Sequence, residues 1–221
     1  PDINIITIED PVEYRIDKIR QVQLNRKAGM TFASGLRSIL RQDPDVIMVG
    51  EIRDGETAGI AVQAALTGHR VLSTLHTNDA AGAMTRMVDM GIEPFLVASV
   101  MLVSFAQRLV RKVCPHCRQP YAPTADTLKY WNLEGENVKG LVVGQGCFNC
   151  LHTGYRGRTG IFEVLVIDDM VRDMILRRCS AHEINRAAIT AGSFVTLREN
   201  ALEKARLGVT SLEEAASAVL M

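Results

Sequence analysis

The run Leu40-Arg41-Gln42-Asp43-Pro44-Asp45-Val46-Ile47-Met48-Val49-Gly50-Glu51-Ile52-Arg53-Asp54 carries a glutamate at the tip of a short apolar segment between charged flanks. Val46 to Val49 is bounded by Asp-Pro and Gly, and the continuous run predicts a strand buried on both faces inside a parallel sheet. Glu51 then stands at the carboxyl end of that strand, where open α/β sheets bind their ligands. A carboxylate there can hold the water shell of Mg²⁺ or orient a water attacking a triphosphate. The same residues also read as a buried strand ending in a solvated turn.

Two more segments end in groups suited to that chemistry. Ile3 to Ile8 runs into Glu9-Asp10-Pro11-Val12-Glu13-Tyr14, with three carboxylates in five residues. Arg70 to Leu75 runs into His76-Thr77-Asn78, with His69 just before it. If the three strands are neighbours in one parallel sheet, Glu9, Asp10, Glu13, Glu51 and His76 converge on one edge. A carboxylate can position water there and an imidazole can stabilise developing charge. Taken singly, His76-Thr77-Asn78 reads as a capping turn and the acidic cluster as a solvated loop.

Cys114-Pro115-His116-Cys117 and Cys147-Phe148-Asn149-Cys150 form two Cys-x-x-Cys knuckles about thirty residues apart. Four thiolates so spaced fit tetrahedral Zn²⁺, and a closed sulfur shell is structural. Redox or unrelated buried thiols are the alternatives, and His116 and His152 are near enough in sequence to replace one sulfur. Cys179 stands apart.

These residues need a scaffold, and the pattern supplies one. Strands at 3–8, 46–49 and 70–75 alternate with helical patterns at 31–42, 56–66 and about 78–90, which predicts a parallel α/β core. A further helix is predicted from Pro94 to about Lys112. Residues 114–158, rich in Cys, Gly, Pro and Tyr, read as a small irregular module. A strand at 160–166 follows, then short amphipathic helices at 169–178, 181–191, 196–207 and 211–220, two of them opened by serine caps and acidic residues. The expected division is 1–112, 113–158 and 159–221.

The 221 residues carry 25 Lys plus Arg against 25 Asp plus Glu, so no general attraction to nucleic acid is expected. No apolar run approaches the roughly 20 residues that cross a bilayer, and a cytosolic protein is expected. Local basic groups remain, among them Arg108 with Arg111 and Lys112, and Arg156 with Arg158. No Gly-x-x-x-x-Gly-Lys-Ser/Thr occurs in the chain, which starts at Pro1 and enters a strand almost at once. It is therefore expected to be a fragment that does not bind ATP tightly and is inactive alone.

At these motifs the sequence resembles the secretion ATPase superfamily, specifically its type II secretion and type IV pilus assembly branches. Ile8 to Tyr14 is similar to that family's aspartate box, Leu36 to Asp54 to its Walker B segment, Thr67 to Asn78 to its histidine box, and the four cysteines with Gly154 to Gly160 to its zinc module. The resemblance implies a partial RecA-like parallel sheet core, a four-cysteine zinc module and a carboxyl-terminal helical segment. It implies an ATP hydrolase acting as a homo-hexamer with Mg²⁺ and Zn²⁺. Such a ring would lie on the cytoplasmic face of the bacterial inner membrane, with membrane platform proteins and anionic phospholipid as partners and no nucleic acid.

By that resemblance Glu9, Asp10 and Glu13 act near Mg²⁺ and the attacking water, Glu51 is the Walker B carboxylate, and His69 and His76 approach the γ-phosphate. Cys114, Cys117, Cys147 and Cys150 are the implied zinc ligands. Arg37, Arg41, Arg53 and Arg86 are candidates for acting on nucleotide across subunits, and each also reads as a surface ion-pair residue. The cysteine module favours assembly or secretion over retraction, and Asp89 to Leu96 with Phe162 to Asp169 lean towards secretion. A nucleic-acid translocase and a non-catalytic docking module are the competing readings; the 5% aromatic content leaves little for base stacking.

Overall fold

The computed structural model describes residues 3–135, 139–192 and 194–219. The chain folds as two compact units. One comprises the residues up to Ser104 together with Val166–Ala187, the other Phe105–Leu165 together with the residues from Ala188 on.

The first unit is built on a parallel sheet. Strands β1 (Ile5–Glu9), β2 (Arg20–Gln23), β3 (Val46–Val49) and β4 (Arg70–Ser73) lie in the order β2-β1-β3-β4, all parallel. The three apolar runs are thus neighbours. The register pairs Ile8 with Val49 and Val49 with Ser73, which brings their carboxyl ends to one edge. Edge strand β2, Arg-Gln-Val-Gln, carries too little apolar pattern to announce itself.

Ile6, Ile8, Ile47 and Val49 are buried, whereas Val46 and Met48 are only half-buried, so β3 is fully covered on one face and not on both. Helix α1 (Phe32–Ile39) closes over β1 with Phe32, Leu36 and Ile39. Gly35 permits this approach, since a Cβ there would lie 2.1 Å from Ile8 Cδ1. Thr31 and Ser34 form a reciprocal capping box at its start. Helix α2 (Gly55–Leu66) packs against α1 and β4 and is capped by Asp54, whose side chain accepts from Thr57 N at 2.8 Å. Helices α3 (Gly82–Asp89) and α4 (Pro94–Val100) follow.

The helix expected from Pro94 to Lys112 ends at Val100, and β5 (Val103–Val113) takes its place. Leu102, Phe105 and Leu109 imitate helical spacing. The alternation of buried Ser104 and Ala106 with exposed Val103, Phe105 and Gln107 is that of a strand, and β5 pairs with a later strand, β8 (Tyr155–Val166). Between them lie β6 (Arg118–Pro120), α5 (Ala125–Trp131) and β7 (Val142–Gly144), with β6 and β7 antiparallel. The segment read as irregular therefore has its own short elements.

Helices α6 (Asp169–Leu176), α7 (Ala181–Thr190), α8 (Leu197–Arg206) and α9 (Leu212–Val219) end the chain close to the expected ranges. Helix α6 packs on α4 in the first unit. In the second, α8 and α9 pack together over Val110, Trp131, Leu133, Leu141 and Ile161. The Arg198 guanidinium lies 4.6 Å from the Tyr130 ring and 4.8 Å from the Trp131 ring.

Candidate active site and metal centre

Beyond Val49 the chain stays bound to both neighbouring strand ends. Gly50 N donates to Ile8 O at 2.8 Å, Thr74 Oγ1 donates to Gly50 O at 2.7 Å, and Ile52 N donates to Thr74 O at 3.0 Å. Gly50 passes close to β1, where a Cβ would lie 3.2 Å from Ile8 O. This clamp fixes the backbone of Glu51.

The Glu51 side chain is 13% exposed, and its Oε2 lies 2.5 Å from Arg53 Nε and 2.9 Å from His76 Nε2. The Arg53 hydrogen bond, joined by that of His76, outweighs partial burial and holds the Glu51 carboxyl below the usual carboxylate range. Arg53 is held above its ordinary value mainly by the same bond, and it also senses Asp10. Both contacts fall on Oε2, so Oε1 keeps its lone pairs for water or a cation.

On β1, Glu9 Oε1 accepts from Thr7 Oγ1 at 2.6 Å and from Gln21 Nε2 at 2.9 Å. Gln21 also folds the following loop back, donating to Tyr14 O and accepting from Ile16 N. Asp10 accepts from Arg26 at 2.9 Å and 2.5 Å. Glu13 is exposed further along this loop. Thr7, Gln21 and Arg26 carry no local signal of this role: Thr7 lies on β1 itself, the β1–β2 register sets Gln21 beside the strand, and Arg26 reaches Asp10 from beyond β2.

His69 is not brought to this edge. It precedes β4, at the amino end of the sheet, and its Nδ1 lies 3.0 Å from Ala64 O and 3.1 Å from Thr67 Oγ1. Arg37 pairs with Glu56 at 2.7 Å on the helical surface. Arg41 and Arg86 are exposed. Of the arginine candidates only Arg53 reaches the carboxylate.

The segment that follows His76 is tethered from a distance in sequence. Asp79, three residues on, accepts from Gly82 N at 2.7 Å through Oδ1 and from Asn185 Nδ2 at 3.0 Å through Oδ2. Asn185 belongs to α7, 106 residues away. No local sequence signal marks this contact.

In the second unit the four knuckle sulfurs lie within 4.8 Å of one another. The Cys114–Cys147 and Cys117–Cys150 separations are 3.9 Å, and Cys147–Cys150 is 3.7 Å. A zinc tetrathiolate with bonds of about 2.3 Å has S–S edges of about 3.8 Å, so the donor set fits Zn²⁺. The Cys150 sulfur accepts from the backbone N–H groups of Cys147 and Gly154 at 3.2 and 3.3 Å, as the outer shell of a thiolate site should.

Burial opposes ionisation of Cys150, but these backbone bonds and the adjoining thiols bring its pKa down to about 6. Burial, with the neighbouring thiols, pushes Cys117 up to about 12 against a backbone bond from Gly146. The knuckles close through the left-handed Gly146 and Gly154, and Gly154 meets Gly144 so closely that a Cβ on Gly144 would lie 2.0 Å from its carbonyl oxygen. His116 and His152 are exposed and lie outside the sulfur cluster.

The model of the type II/IV secretion system protein family matches residues 1–217. The chain belongs to that family. It is 54% identical over 211 residues to the type II secretion system protein E of Pseudomonas aeruginosa, covering 96% of this chain and 42% of the relative. It is 53% identical over 216 residues to the type IV pilus assembly ATPase PilB of Thermus thermophilus, covering 97% and 24%. The chain thus spans less than half the length of these relatives.

Solved structures share the fold. The pilus retraction motor PilT with bound ADP superimposes with a TM-score of 0.68 at 27% identity, covering 97% of this chain and 52% of PilT. The Legionella pneumophila ATPase DotB gives 0.66 at 26%, covering 98% and 51%. Among the described residues no helix is long and apolar enough to cross a membrane.

Proposed function

We propose that this chain belongs to the motor subunit of a type II secretion system, in which ATP hydrolysis drives pseudopilus assembly and protein export. The observation that carries the reading is the Glu51 carboxylate at the sheet edge, gripped on one oxygen by His76 and Arg53. The identity to type II secretion protein E supports the choice of branch.

In this reading Glu51 stays ionised and directs Oε1 to the water that attacks the terminal phosphate. His76 and Arg53 fix the rotamer of Glu51. Glu9, Asp10 and Glu13 supply hard oxygen donors suited to the water shell of Mg²⁺, which when bound offsets phosphate charge. Arg37, Arg41 and Arg86 would serve across subunits of a ring, as would His69, which the fold keeps from this edge within one chain. By role, 1–112 is assigned to the motor core, 113–158 to the metal module and 159–221 to the helical segment, although 166–187 folds with the first unit and 105–112 with the second. The ring works in the cytoplasm beside the inner membrane, on platform proteins embedded in it.

The similarity to PilB supports a second reading, type IV pilus assembly by the same chemistry. Phosphate release from ATP by the complete subunit tests the hydrolase. Restoration of export, or of surface pili, in strains lacking the corresponding ATPase separates the branches. Restored pili without restored export would overturn the first choice.

A further inference from the structure

Two carboxylates near the carboxyl ends of the strands are each held on one oxygen only. Glu51 is gripped on Oε2 by Arg53 and His76. Glu9 is gripped on Oε1 by Thr7 Oγ1 at 2.6 Å and by Gln21 Nε2 at 2.9 Å, and among the described residues its Oε2 meets no hydrogen-bond donor. The two grips differ in charge. Arg53 brings a cation to Glu51, whereas among the described residues Glu9 has no ion-pair partner.

Gln21 reaches Glu9 through strand pairing. The parallel register sets Gln21 beside Thr7, so its side chain emerges on the face from which Thr7 and, two residues on, Glu9 project. Its carboxamide is fully used. Nε2 donates to Glu9 Oε1 and to Tyr14 O, each at 2.9 Å, while Oε1 accepts from Ile16 N at 2.8 Å. A carboxylate and a carbonyl only accept and a backbone N–H only donates, so a single orientation of the amide satisfies all three partners.

These bonds matter to the loop between β1 and β2 because its side chains bury little. Tyr14 is 81% exposed and Ile16 54%. Further tethers are Ile19 N on Ile16 O at 3.3 Å and a long 3.5 Å approach of Val12 N to Gln23 Oε1. One neutral side chain thus fixes the Glu9 carboxylate together with the backbone next to Glu13. A lysine or arginine in its place would add a positive charge that opposes a bound cation, whereas the carboxamide holds the oxygen without one.

We propose that Gln21 is a positioning residue for ATP hydrolysis, locking Glu9 by Oε1 so that Oε2 is left to the water shell of Mg²⁺, and holding the Glu13 loop to the same strand end. The proposal rests on the hydrolase reading, in which Glu9 supplies an oxygen to that shell.

The test joins kinetics of the complete subunit to amide exchange in the 221-residue protein. Gln21→Met keeps the length of the side chain and removes all three bonds, and should lower kcat about tenfold at unchanged nucleotide affinity. Gln21→Glu keeps an acceptor for Ile16 N but sets a second carboxylate against Glu9, so its kcat should fall at least as far. In a Glu9→Ala background, Gln21→Met should change kcat by about twofold at most, because the side chain acts through Glu9. In the 221-residue protein, without metal or nucleotide, the Ile16 amide should exchange about tenfold faster in Gln21→Met and near the wild-type rate in Gln21→Glu. Wild-type turnover in Gln21→Glu, a full additional loss on top of Glu9→Ala, or an Ile16 amide indifferent to Gln21→Met would overturn the proposal while leaving the hydrolase reading in place. Wild-type turnover in Glu9→Ala would overturn it together with the role given to Glu9.

Discussion

His76 Nε2 lies 2.9 Å from Glu51 Oε2, across 25 residues of sequence and at the tips of two adjacent parallel strands. The imidazole is exposed while the carboxylate is 13% exposed, so the histidine caps the acid from the solvent side. In the complete subunit His76→Ala should lower kcat by about tenfold to a hundredfold with little change in KM, because it frees the orientation of Glu51 without touching phosphate-binding groups. Steady-state kinetics check this, and a rise in KM alone would make His76 a substrate-binding residue.

The bond from Asn185 anchors Asp79, three residues beyond His76. Asn185→Ala should therefore reduce kcat by about tenfold in the complete subunit at unchanged KM, with Asn185→Gln less affected. Its melting temperature should stay within a few degrees of wild type, since one half-buried hydrogen bond contributes about 1 kcal/mol. A full loss of activity traced to unfolding would contradict the positioning role.

Removal of the metal should act on one unit. Cys114→Ser or Cys147→Ser, or chelation, should reduce bound zinc from one per chain towards none and destabilise the second unit by several kcal/mol. The parallel sheet should keep its amide protection in hydrogen exchange. Metal analysis with exchange mass spectrometry reads both, and unchanged zinc in the serine variants would reject the four-sulfur ligand set.

Acid should destabilise the fold through depressed carboxyls. Glu51 is lowered first by Arg53. Glu214 is lowered because the bonds from Arg111 outweigh its burial, and Glu183 is lowered by Ser180. A carboxyl with a depressed folded pKa binds its proton more readily in the unfolded chain, so its stabilisation is full above about 4.5 and is lost as pH falls through the folded value. Denaturant midpoints should thus drop below about pH 4.5. Glu214→Gln, which breaks a pair with an exposed arginine, should cost about 1 kcal/mol at pH 7 and flatten part of the slope.

The parallel core was legible because Ile-rich runs punctuated by Gly and Pro admit few alternatives, and the cysteine cluster because two Cys-x-x-Cys knuckles are a local signal, although sequence left His116 and His152 open as substitutes for a sulfur. The strand after Pro94 was not, since Leu102, Phe105 and Leu109 satisfy a helical period and only pairing with β8 decides the matter. Edge strand β2 carries no strong pattern. The edge carboxylates could be named from sequence, yet their partners Gln21 and Arg26 depend on how β1 and β2 pair, and the contact of Asn185 with Asp79 spans about a hundred residues. His69 shows the converse case, as proximity to a strand in sequence did not say which end of the sheet it would occupy.

The most direct test of the central claim is phosphate release from ATP by the complete subunit and its Glu51→Gln variant, with nucleotide binding measured on both. The account predicts turnover in the wild type and a loss of about a thousandfold or more in the variant, with binding retained. Turnover at the wild-type rate in Glu51→Gln would remove this carboxylate from the mechanism.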